Sequence, residues 1–396
     1  MQTTDTDDIS TLPAPLPVDG PAGIYVHVPF CRHICPYCDF NTYAGQEDRI
    51  PAYVDALVRE MQLRDGETTE APTLYFGGGT PSLLSPEQIA RVVDAATRRL
   101  GLRADAEVSL EANPETLDEA ALRGFRAAGI NRLSIGIQSL QRAGLRVLGR
   151  GHTATTATDA LATARLAGFE NVSLDFIYGW PGQSAEDWDH DLATMLDWAP
   201  EHLSLYALIV EPGTPMQMAV RRGILSPLDD DTVADRYDRA VDVLAAAGWE
   251  HYEISNWARE PRFRSRHNQL YWQNGPYLGV GAGAFGTARG ERLSNHLLPA
   301  RYIADLAAGR LPVATREAID ERTGMGETMM LALRLLIDGV SDADFARRHG
   351  GHIVDRFPDA VERFTHLGLI EWHGGRLRLT ASGVLVANEV CAAFLP

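Results

Sequence analysis

The stretch YVHVPFCRHICPYCDF, residues 25–40, brings Cys31, Cys35 and Cys38 together in a C-x3-C-x2-C spacing. An iron–sulfur cube usually takes four thiolate ligands. Three thiolates on one short loop would hold three irons and leave the fourth open, as a catalytic metal site keeps one position open. The spacing therefore predicts a [4Fe-4S] cluster whose open iron can bind a small chelating molecule.

Two other interpretations of the three cysteines remain. Zinc accepts thiolate, imidazole and carboxylate ligands, so His33 or Asp39 could complete a zinc site. The thiols could also bind no metal. A disulfide is disfavoured, because no export signal precedes them and the only other cysteine, Cys391, lies far along the chain in an apolar stretch expected in the core.

The bulk composition limits the classes of partner. The chain has 396 residues, enough for two or three domains, with 36 basic and 53 acidic residues and a net charge of −17. That charge disfavours a nucleic-acid partner. No apolar run reaches the roughly 18 residues of a membrane span, and few cysteines indicate a reducing cytoplasm. Residues 1–20 are acidic and proline-rich, which predicts a mobile tail.

Residues 21–250 alternate short β-rich runs with helical periods. We expect six strands, beginning at Ile24, Thr73, Glu107, Arg132, Val172 and His202. Such alternation is typical of an α/β fold, with a parallel sheet covered by helices. Periodicity alone leaves open whether that sheet is flat or curls into a partial barrel.

The pattern changes toward the C-terminus. Residues 251–300 form a connecting region, and residues 301–396 predict a small helical domain, with helices over 316–338, 341–349 and 353–367 and a hairpin turning at Gly374–Gly375. Helices followed by a two-stranded wing indicate a winged-helix-like domain. Since it shows little basic clustering, packing or protein contact is the favoured role over DNA binding.

Polar residues follow the predicted strands. YFGGGTPS places three glycines, Gly77 to Gly79, directly after a strand, where backbone can approach a ligand closely. Glu111, Gln138 and Asp175 fall near the ends of later strands. Binding sites in parallel strand–helix folds form at that edge. These groups could accept hydrogen bonds from ribose hydroxyls and from an ammonium group. Arg150 could bind a carboxylate through two hydrogen bonds.

Together, YVHVPFCRHICPYCDF, YFGGGTPS, VSLEANPE, LSIGIQSL, LGRGH, DFIYGWPGQ and HNQLYW make the chain resemble the radical S-adenosylmethionine superfamily, and within it the coproporphyrinogen dehydrogenase and HemW group. The resemblance implies a partial (β/α)6 barrel with Cys31, Cys35 and Cys38 as cluster ligands. It also implies S-adenosylmethionine contacts at Tyr25, Tyr37, Gly78, Gly79, Thr80, Glu111, Gln138, Arg150 and Asp175. An electron donor such as flavodoxin or ferredoxin would reduce the cluster.

Two details favour heme as cargo over porphyrinogen decarboxylation. Coproporphyrinogen dehydrogenases usually carry a fourth cysteine two residues after the third, where this chain has Phe40. The HNxxYW stretch, His267, Asn268, Tyr271 and Trp272, is similar to the heme-binding element of HemW-type chaperones. Imidazole is a good axial ligand of heme iron, so His267 is the candidate ligand, with His251 and His296 as competitors.

The resemblance thus implies a cytoplasmic heme chaperone that passes heme to acceptor proteins, some of them at a membrane. An oxygen-independent coproporphyrinogen III oxidase is the alternative. A radical enzyme that modifies RNA is a third hypothesis, which the net charge of −17 disfavours.

Overall fold

The computed structural model describes residues 21–396. The tail predicted over residues 1–20 lies outside the described residues. Within the described part, six strand–helix units come first, a connecting region follows, and a small C-terminal unit closes the chain.

The first half of the chain builds the parallel part of the main sheet. Its strands are β1 Gly23–Val28, β2 Phe30–Cys31, β3 Tyr43–Ala44, β4 Ala71–Gly78, β5 Leu102–Ala112, β6 Arg132–Gln138, β7 Val172–Tyr178 and β8 His202–Ala207. Strands β1 and β4 to β8 pair in sequence order, each parallel to its neighbour. All six predicted strands are therefore present. β2 and β3 form a separate parallel pair in the cysteine segment.

Helices follow these strands along the chain. They are α1 Ile50–Leu63, α2 Pro86–Leu100, α3 Glu119–Ala127, α4 Arg142–Val147, α5 Ala154–Leu166, α6 Ala185–Trp198, α7 Pro215–Arg221 and α8 Asp230–Ala246. Local chemistry fixes their ends. In α2, the Ser85 side chain and the N3 residue Gln88 make a capping box, and Gly101 ends the helix in the left-handed conformation with a φ of 62°.

The connecting region extends the main sheet at both edges. Its elements are β9 Glu250–Glu253, β10 Asn256–Ala258, α9 Arg266–Trp272, β11 Tyr277–Val280, β12 Phe285–Ala288, β13 Glu291–Asn295, α10 Pro299–Ala307 and β14 Val313–Ala318. The strand order is β14-β13-β12-β11-β1-β4-β5-β6-β7-β8-β10-β9. Since β1 and β8 are not paired with each other, the six-stranded arc is open between them.

Glu60 on α1 ties the connecting region to the first half. Its carboxylate is fully buried and accepts from the Gly281 amide at 2.9 Å, the Asn295 side chain at 2.9 Å and the Tyr302 hydroxyl at 2.6 Å. Arg64 supplies the opposite charge at 3.0 Å. A buried carboxylate needs this full set of partners, because burial without them is costly.

The C-terminal unit has a core of its own, which runs from Met325 to Phe394. Its elements are α11 Glu321–Ala332, β15 Val340–Ser341, α12 Asp342–His349, α13 Ile353–Arg356, α14 Pro358–His366, β16 Ile370–His373, β17 Arg376–Leu379, α15 Ala381–Leu385 and α16 Ala387–Ala392. Gly374 and Gly375 turn the expected hairpin with positive φ angles. Cys391 is buried in this core, as expected.

The division between the two units falls later than residue 301, where the sequence pattern places it. Tyr302 and Leu306 pack in the main core, and β14 pairs with β13. A helix was expected from residue 316, but α11 begins at Glu321, where the Asp320 side chain caps it. Across residues 21–396, no helix is long and apolar enough to cross a membrane.

Candidate functional site

A cavity of about 440 Å³ opens where the parallel strands end at their carboxyl termini. Most of the residues predicted to bind a cluster or a nucleotide line it. These are Cys31, Cys35, Cys38, Tyr37, Gly78, Gly79, Thr80, Glu111, Gln138, Arg150 and Asp175. Asn268, which was predicted to contact heme, also lines the cavity. The fold thus gathers side chains from positions 31 to 268 around one space, as parallel strand–helix folds do at this edge.

The glycine run lies against the first cysteine. A Cβ atom on Gly79 would stand 2.7 Å from the Phe30 carbonyl and 2.9 Å from Cys31 Sγ, closer than real contacts allow. The next residue, Thr80, places its hydroxyl 3.7 Å from the same sulfur. Glycine is therefore required at position 79 by the close approach of the cysteine segment.

Arg150 holds the second cysteine. Its Nη1 atom lies 3.5 Å from Cys35 Sγ, and Nη2 donates to the Gly136 carbonyl at 3.0 Å and to Asn113 Oδ1 at 2.6 Å. Asn113 in turn donates to the Thr80 hydroxyl at 3.2 Å. Sequence reasoning did not single out Asn113, although its motif was recognised; its role as a bridge depends on the fold.

A chain of hydrogen bonds supports the cysteine segment from behind. His27 Nε2 donates to the Asn41 carbonyl at 2.9 Å, so its Nδ1 accepts from the Tyr25 hydroxyl at 3.0 Å. The Asn41 side chain donates to the carbonyls of Ala282 and Leu297, each at 3.1 Å. Since burial lowers the pKa of His27, its imidazole is neutral and this orientation of donors is consistent.

The donor set suits an iron–sulfur cluster. Burial raises the pKa of Cys31 to about 11 and raises that of Cys38, so ligation would displace protons from these thiols. Arg150 supplies positive charge next to the thiolates. In the part of the chain that the structure describes, no three His, Cys, Asp or Glu side chains converge on a position for one metal ion. Thiolates of a cube each bind a different iron and have no need to converge in this way.

Glu111 forms the acidic wall of the cavity. Its carboxylate accepts from the Tyr75 hydroxyl at 2.8 Å and from the Gly78 amide at 3.2 Å. Burial raises the pKa of Glu111 to about 7 despite these two hydrogen bonds. A cationic group placed in the cavity would favour its ionised form.

Gln138 and Asp175 lie on β6 and β7, the two strands that follow the Glu111 strand β5 in the sheet. Asp175 accepts from the Ser134 hydroxyl at 2.9 Å and from Ser173 at 3.1 Å, and burial raises its pKa. Gln138 has a φ of 66°, which is uncommon for a residue with a side chain. Its amide folds over Gly136, where a Cβ would lie 2.8 Å away.

Arg132 is a cavity residue that sequence reasoning missed. Its side chain, on the first residue of β6, is buried and lines the cavity, and within residues 21–396 its Nε atom has no hydrogen-bond partner. Burial opposes its charge, but Glu107, Asp175 and the neighbouring tyrosines together outweigh that effect and raise the pKa of Arg132. Its identity as an inward-facing cation cannot be read from a strand pattern alone.

The HNxxYW helix α9 closes the other end of the barrel. The Glu107 carboxylate accepts from the backbone amides of Arg266 and His267, each at 3.0 Å. His267 is 1% exposed and has a partner at both nitrogens: Thr73 at 2.8 Å from Nδ1 and Tyr271 at 2.8 Å from Nε2. Burial lowers the pKa of His267 to about 3, so the ring is neutral.

The other residues of the HNxxYW motif contact different parts of the structure. Asn268 reaches the cavity wall. Trp272 packs under the Arg334 guanidinium at 4.5 Å, while Arg334 pairs with the buried Glu253. Tyr25, a predicted nucleotide contact, is not on the cavity wall in the described residues; its ring packs 6.3 Å from Tyr75.

The two competing histidines lie elsewhere. His251 stacks on Trp257 at 4.0 Å, and its Nε2 bonds to the Ile254 carbonyl at 3.1 Å. His296 is more exposed and lies 3.7 Å from Asp305. Neither lines the cavity at the strand ends.

Comparisons with known proteins agree with this geometry. Residues 25–195 match the radical SAM superfamily, and residues 319–386 match the HemN C-terminal domain. The protein named heme chaperone HemW from Bacillus subtilis is 37% identical over 94% of this chain and 98% of its own. The protein of that name from Mycobacterium tuberculosis is 40% identical over 97% of each chain. The solved structure of coproporphyrinogen III oxidase HemN from Escherichia coli superposes with a TM-score of 0.81, at 23% identity, over 94% of this chain and 90% of that one.

The open arc of parallel strands and the three-cysteine segment therefore define a radical S-adenosylmethionine fold, which confirms the partial barrel and the helical C-terminal domain. Within that superfamily, the chain belongs to the family of the HemW heme chaperones.

Proposed function

We propose that this protein is a heme chaperone that carries a [4Fe-4S] cluster, binds S-adenosylmethionine, holds heme and passes it to acceptor proteins. The observation that carries the proposal is the cysteine segment at the mouth of a cavity lined by carboxylates and amides, in a chain similar over nearly its full length to proteins named heme chaperones. Cys31, Cys35 and Cys38 would hold the cluster.

Different residues of the cavity would bind different parts of S-adenosylmethionine. Glu111 would accept from the ammonium group, and Asp175 and Gln138 would bind ribose hydroxyls. Gly78, Gly79 and Thr80 let the backbone approach the methionine part, and Tyr37 offers a ring to the adenine. When bound, the reduced cluster could pass an electron to the sulfonium; a flavodoxin or ferredoxin is the donor we expect.

Ligation of heme by His267 would require a local rearrangement of the structure. Both ring nitrogens are hydrogen-bonded and the ring is 1% exposed. An axial bond to iron would replace the bond to Thr73 or the bond to Tyr271, and α9 would have to move away from the barrel end. Tyr271, Asn268 and Trp272 would then be available to the macrocycle.

Two variants separate ligation from barrel closure. His267→Ala removes the imidazole and its hydrogen bonds, whereas Thr73→Val breaks the bond to Nδ1 and keeps the ring. Heme is titrated into the anaerobically reconstituted protein and followed at the Soret band. If His267 is the ligand, heme binding is lost in His267→Ala and kept in Thr73→Val. Equal heme binding in both variants would assign His267 to barrel closure alone.

Turnover tests the proposed function against the enzymatic alternative. The reduced, cluster-loaded protein is incubated anaerobically with S-adenosylmethionine and coproporphyrinogen III. We expect no catalytic release of protoporphyrinogen and a stoichiometric heme complex in a parallel titration. Multiple turnovers would replace the chaperone proposal with the oxidase.

A further inference from the structure

A row of buried hydrogen bonds connects the cavity to helix α9. At the cavity, Asp175 accepts from the Ser173 hydroxyl at 3.1 Å, and the same hydroxyl lies 2.8 Å from Nδ1 of His202. Nε2 of His202 lies 2.8 Å from the Tyr252 hydroxyl, whose oxygen accepts from the Ser265 backbone amide at 3.2 Å. Ser265 caps α9, so the row joins the cavity wall to the HNxxYW helix. We call these five residues the buried row.

The hydrogen bonds of the buried row all point the same way. An ionised Asp175 can only accept, so the Ser173 hydroxyl donates to it and accepts from Nδ1 of His202. Nε2 of His202 then accepts from the Tyr252 hydroxyl, because burial lowers the pKa of His202 and keeps its ring neutral. The Tyr252 oxygen in turn accepts from the Ser265 amide. The four residues behind Asp175 are at most 1% exposed, so each hydrogen bond polarises the next in a water-free interior.

We propose that the buried row couples the two ligand sites, so that S-adenosylmethionine bound at Asp175 holds α9 closed and weakens the binding of heme. This inference rests on the proposed function, in which ribose hydroxyls bind Asp175 and α9 moves away from the barrel when His267 ligates iron. S-adenosylmethionine thereby acts as a signal for the release of heme. Because coupling between two binding sites is reciprocal, heme weakens the binding of S-adenosylmethionine by the same factor.

The ionisation of Asp175 gives the coupling its sign. Burial raises the pKa of Asp175, whereas ribose hydroxyls that donate to it favour its ionised form. That form fixes the direction of every hydrogen bond in the row, including the one from the Ser265 amide to Tyr252. The movement of α9 breaks this last hydrogen bond, so a ligand that strengthens the row opposes the movement that heme requires.

Two other connections could make the ligands oppose each other. Asn268 of α9 lines the cavity, so the two ligands could meet there directly. Tyr75 donates to Glu111 at 2.8 Å, and its ring stacks on the His267 ring at 5.0 Å. Neither connection uses the Tyr252 hydroxyl. Removal of that hydroxyl therefore separates the buried row from both.

The test interrupts the row and leaves both sites in place. Tyr252→Phe removes the hydroxyl and keeps the buried ring, and Ser173→Ala breaks the row at a second position. Tyr237→Phe is the control, since it removes another buried hydroxyl, which donates to the Ile254 carbonyl at 3.1 Å outside the row. Heme is titrated anaerobically into each unreduced, cluster-loaded protein, with and without saturating S-adenosylmethionine. The readout is the ratio of the two dissociation constants, which a general loss of stability does not change.

S-adenosylmethionine should weaken heme binding about tenfold in the unchanged protein and in Tyr237→Phe, a factor usual for coupled sites. It should leave heme binding unchanged in Tyr252→Phe and Ser173→Ala. S-adenosylhomocysteine, which has the ribose but no sulfonium charge, should act in the same way on the unchanged protein. An effect confined to S-adenosylmethionine would assign the antagonism to charge and overturn the inference.

Three further results would overturn the inference while the proposed function stands. They are an equal ratio in all four proteins, heme binding that S-adenosylmethionine does not affect, and heme binding that it strengthens. If the unchanged protein binds no heme, the proposed function fails as well.

Discussion

Arg150 Nη1 lies 3.5 Å from Cys35 Sγ, and the same guanidinium donates to the Gly136 carbonyl on β6. One side chain thus fixes the cysteine segment to a strand of the barrel and brings positive charge to a thiolate. Charge-assisted hydrogen bonds of this kind are stronger than neutral ones.

Replacing Arg150 should weaken retention of the cluster. We expect Arg150→Met to lose iron to a chelator about tenfold faster, because a contact worth roughly 1.5 kcal/mol is removed from Cys35. Iron release is followed by the loss of visible absorbance under anaerobic conditions. Arg146→Met, an exposed arginine on α4, is the control. Equal rates for the two variants would contradict a role of Arg150 at the cluster.

A methyl group at position 79 should displace the cysteine segment. Gly79→Ala places a Cβ 2.9 Å from Cys31 Sγ, and overpacking of this kind costs about 1–3 kcal/mol. We expect poor cluster reconstitution and a lower free energy of unfolding. Gly324→Ala on α11, where the nearest atom would be 3.8 Å away, should be neutral or slightly stabilising. Full reconstitution of the cluster in Gly79→Ala would show that the cysteine segment can move aside and would contradict this prediction.

Glu111 should make the ligand-free protein less stable at alkaline pH. Burial raises the pKa of Glu111 to about 7, above the ordinary 4.5, so the folded state binds the extra proton. The stability that this proton provides is present below pH 4.5 and is lost as the pH rises through 7. The free energy of unfolding of the unchanged protein should therefore fall by about 2 kcal/mol relative to that of Glu111→Gln when the pH is raised from about 5 to about 8.

Urea unfolding at the two pH values measures that difference. The same variant should bind S-adenosylmethionine about tenfold more weakly, since a charged acceptor for the ammonium is removed. A variant with a constant stability difference across this pH range would mean that Glu111 ionises normally in the folded protein.

Buried imidazoles should make the fold sensitive to acid. Burial lowers the pKa of His267 to about 3, against 6.5 when unfolded, and also lowers that of His202. Their stabilising contribution is complete above pH 6.5 and is lost as the pH falls towards 3, because the unfolded chain takes up protons first. When the pH is lowered from about 7 to about 5, His267 alone should reduce the free energy of unfolding by about 2 kcal/mol.

Unfolding of His267→Gln at the same pH values isolates this contribution. The variant is less stable at pH 7, and its deficit should shrink by about 2 kcal/mol at pH 5. A deficit that does not change with pH would indicate that the imidazole is solvated or protonated in the folded protein.

The strands and the cluster segment could be predicted because their signals are local. β-rich runs and helical periods alternate along the chain, and the cysteine spacing lies within eight residues. Periodicity alone could not decide whether the sheet curls; the resemblance to a known family implied the partial barrel. The pairing of β11 with β1 could not be predicted, because it joins segments more than 200 residues apart. The late start of the C-terminal unit has the same origin, since β14 pairs with β13 of the main sheet.

His267 illustrates the limit for site residues. A histidine beside tyrosine and tryptophan has the same sequence pattern whether it ligates heme or closes a barrel. The decisive contacts, Thr73 and the Glu107 carboxylate, are 194 and 160 residues away in sequence. Arg132 and Asn113 were missed for the same reason: the groups that act on them, Glu107 for Arg132 and Arg150 for Asn113, come from distant parts of the chain.

Anaerobic reconstitution with iron and sulfide tests the central claim most directly. The account predicts about four irons and four sulfides per chain, and a change in the electron paramagnetic resonance spectrum of the reduced cluster when S-adenosylmethionine is added. Replacement of Cys35 by Ala should abolish both. Stoichiometric zinc in the protein purified without oxygen, with no uptake of a cluster afterwards, would contradict the account.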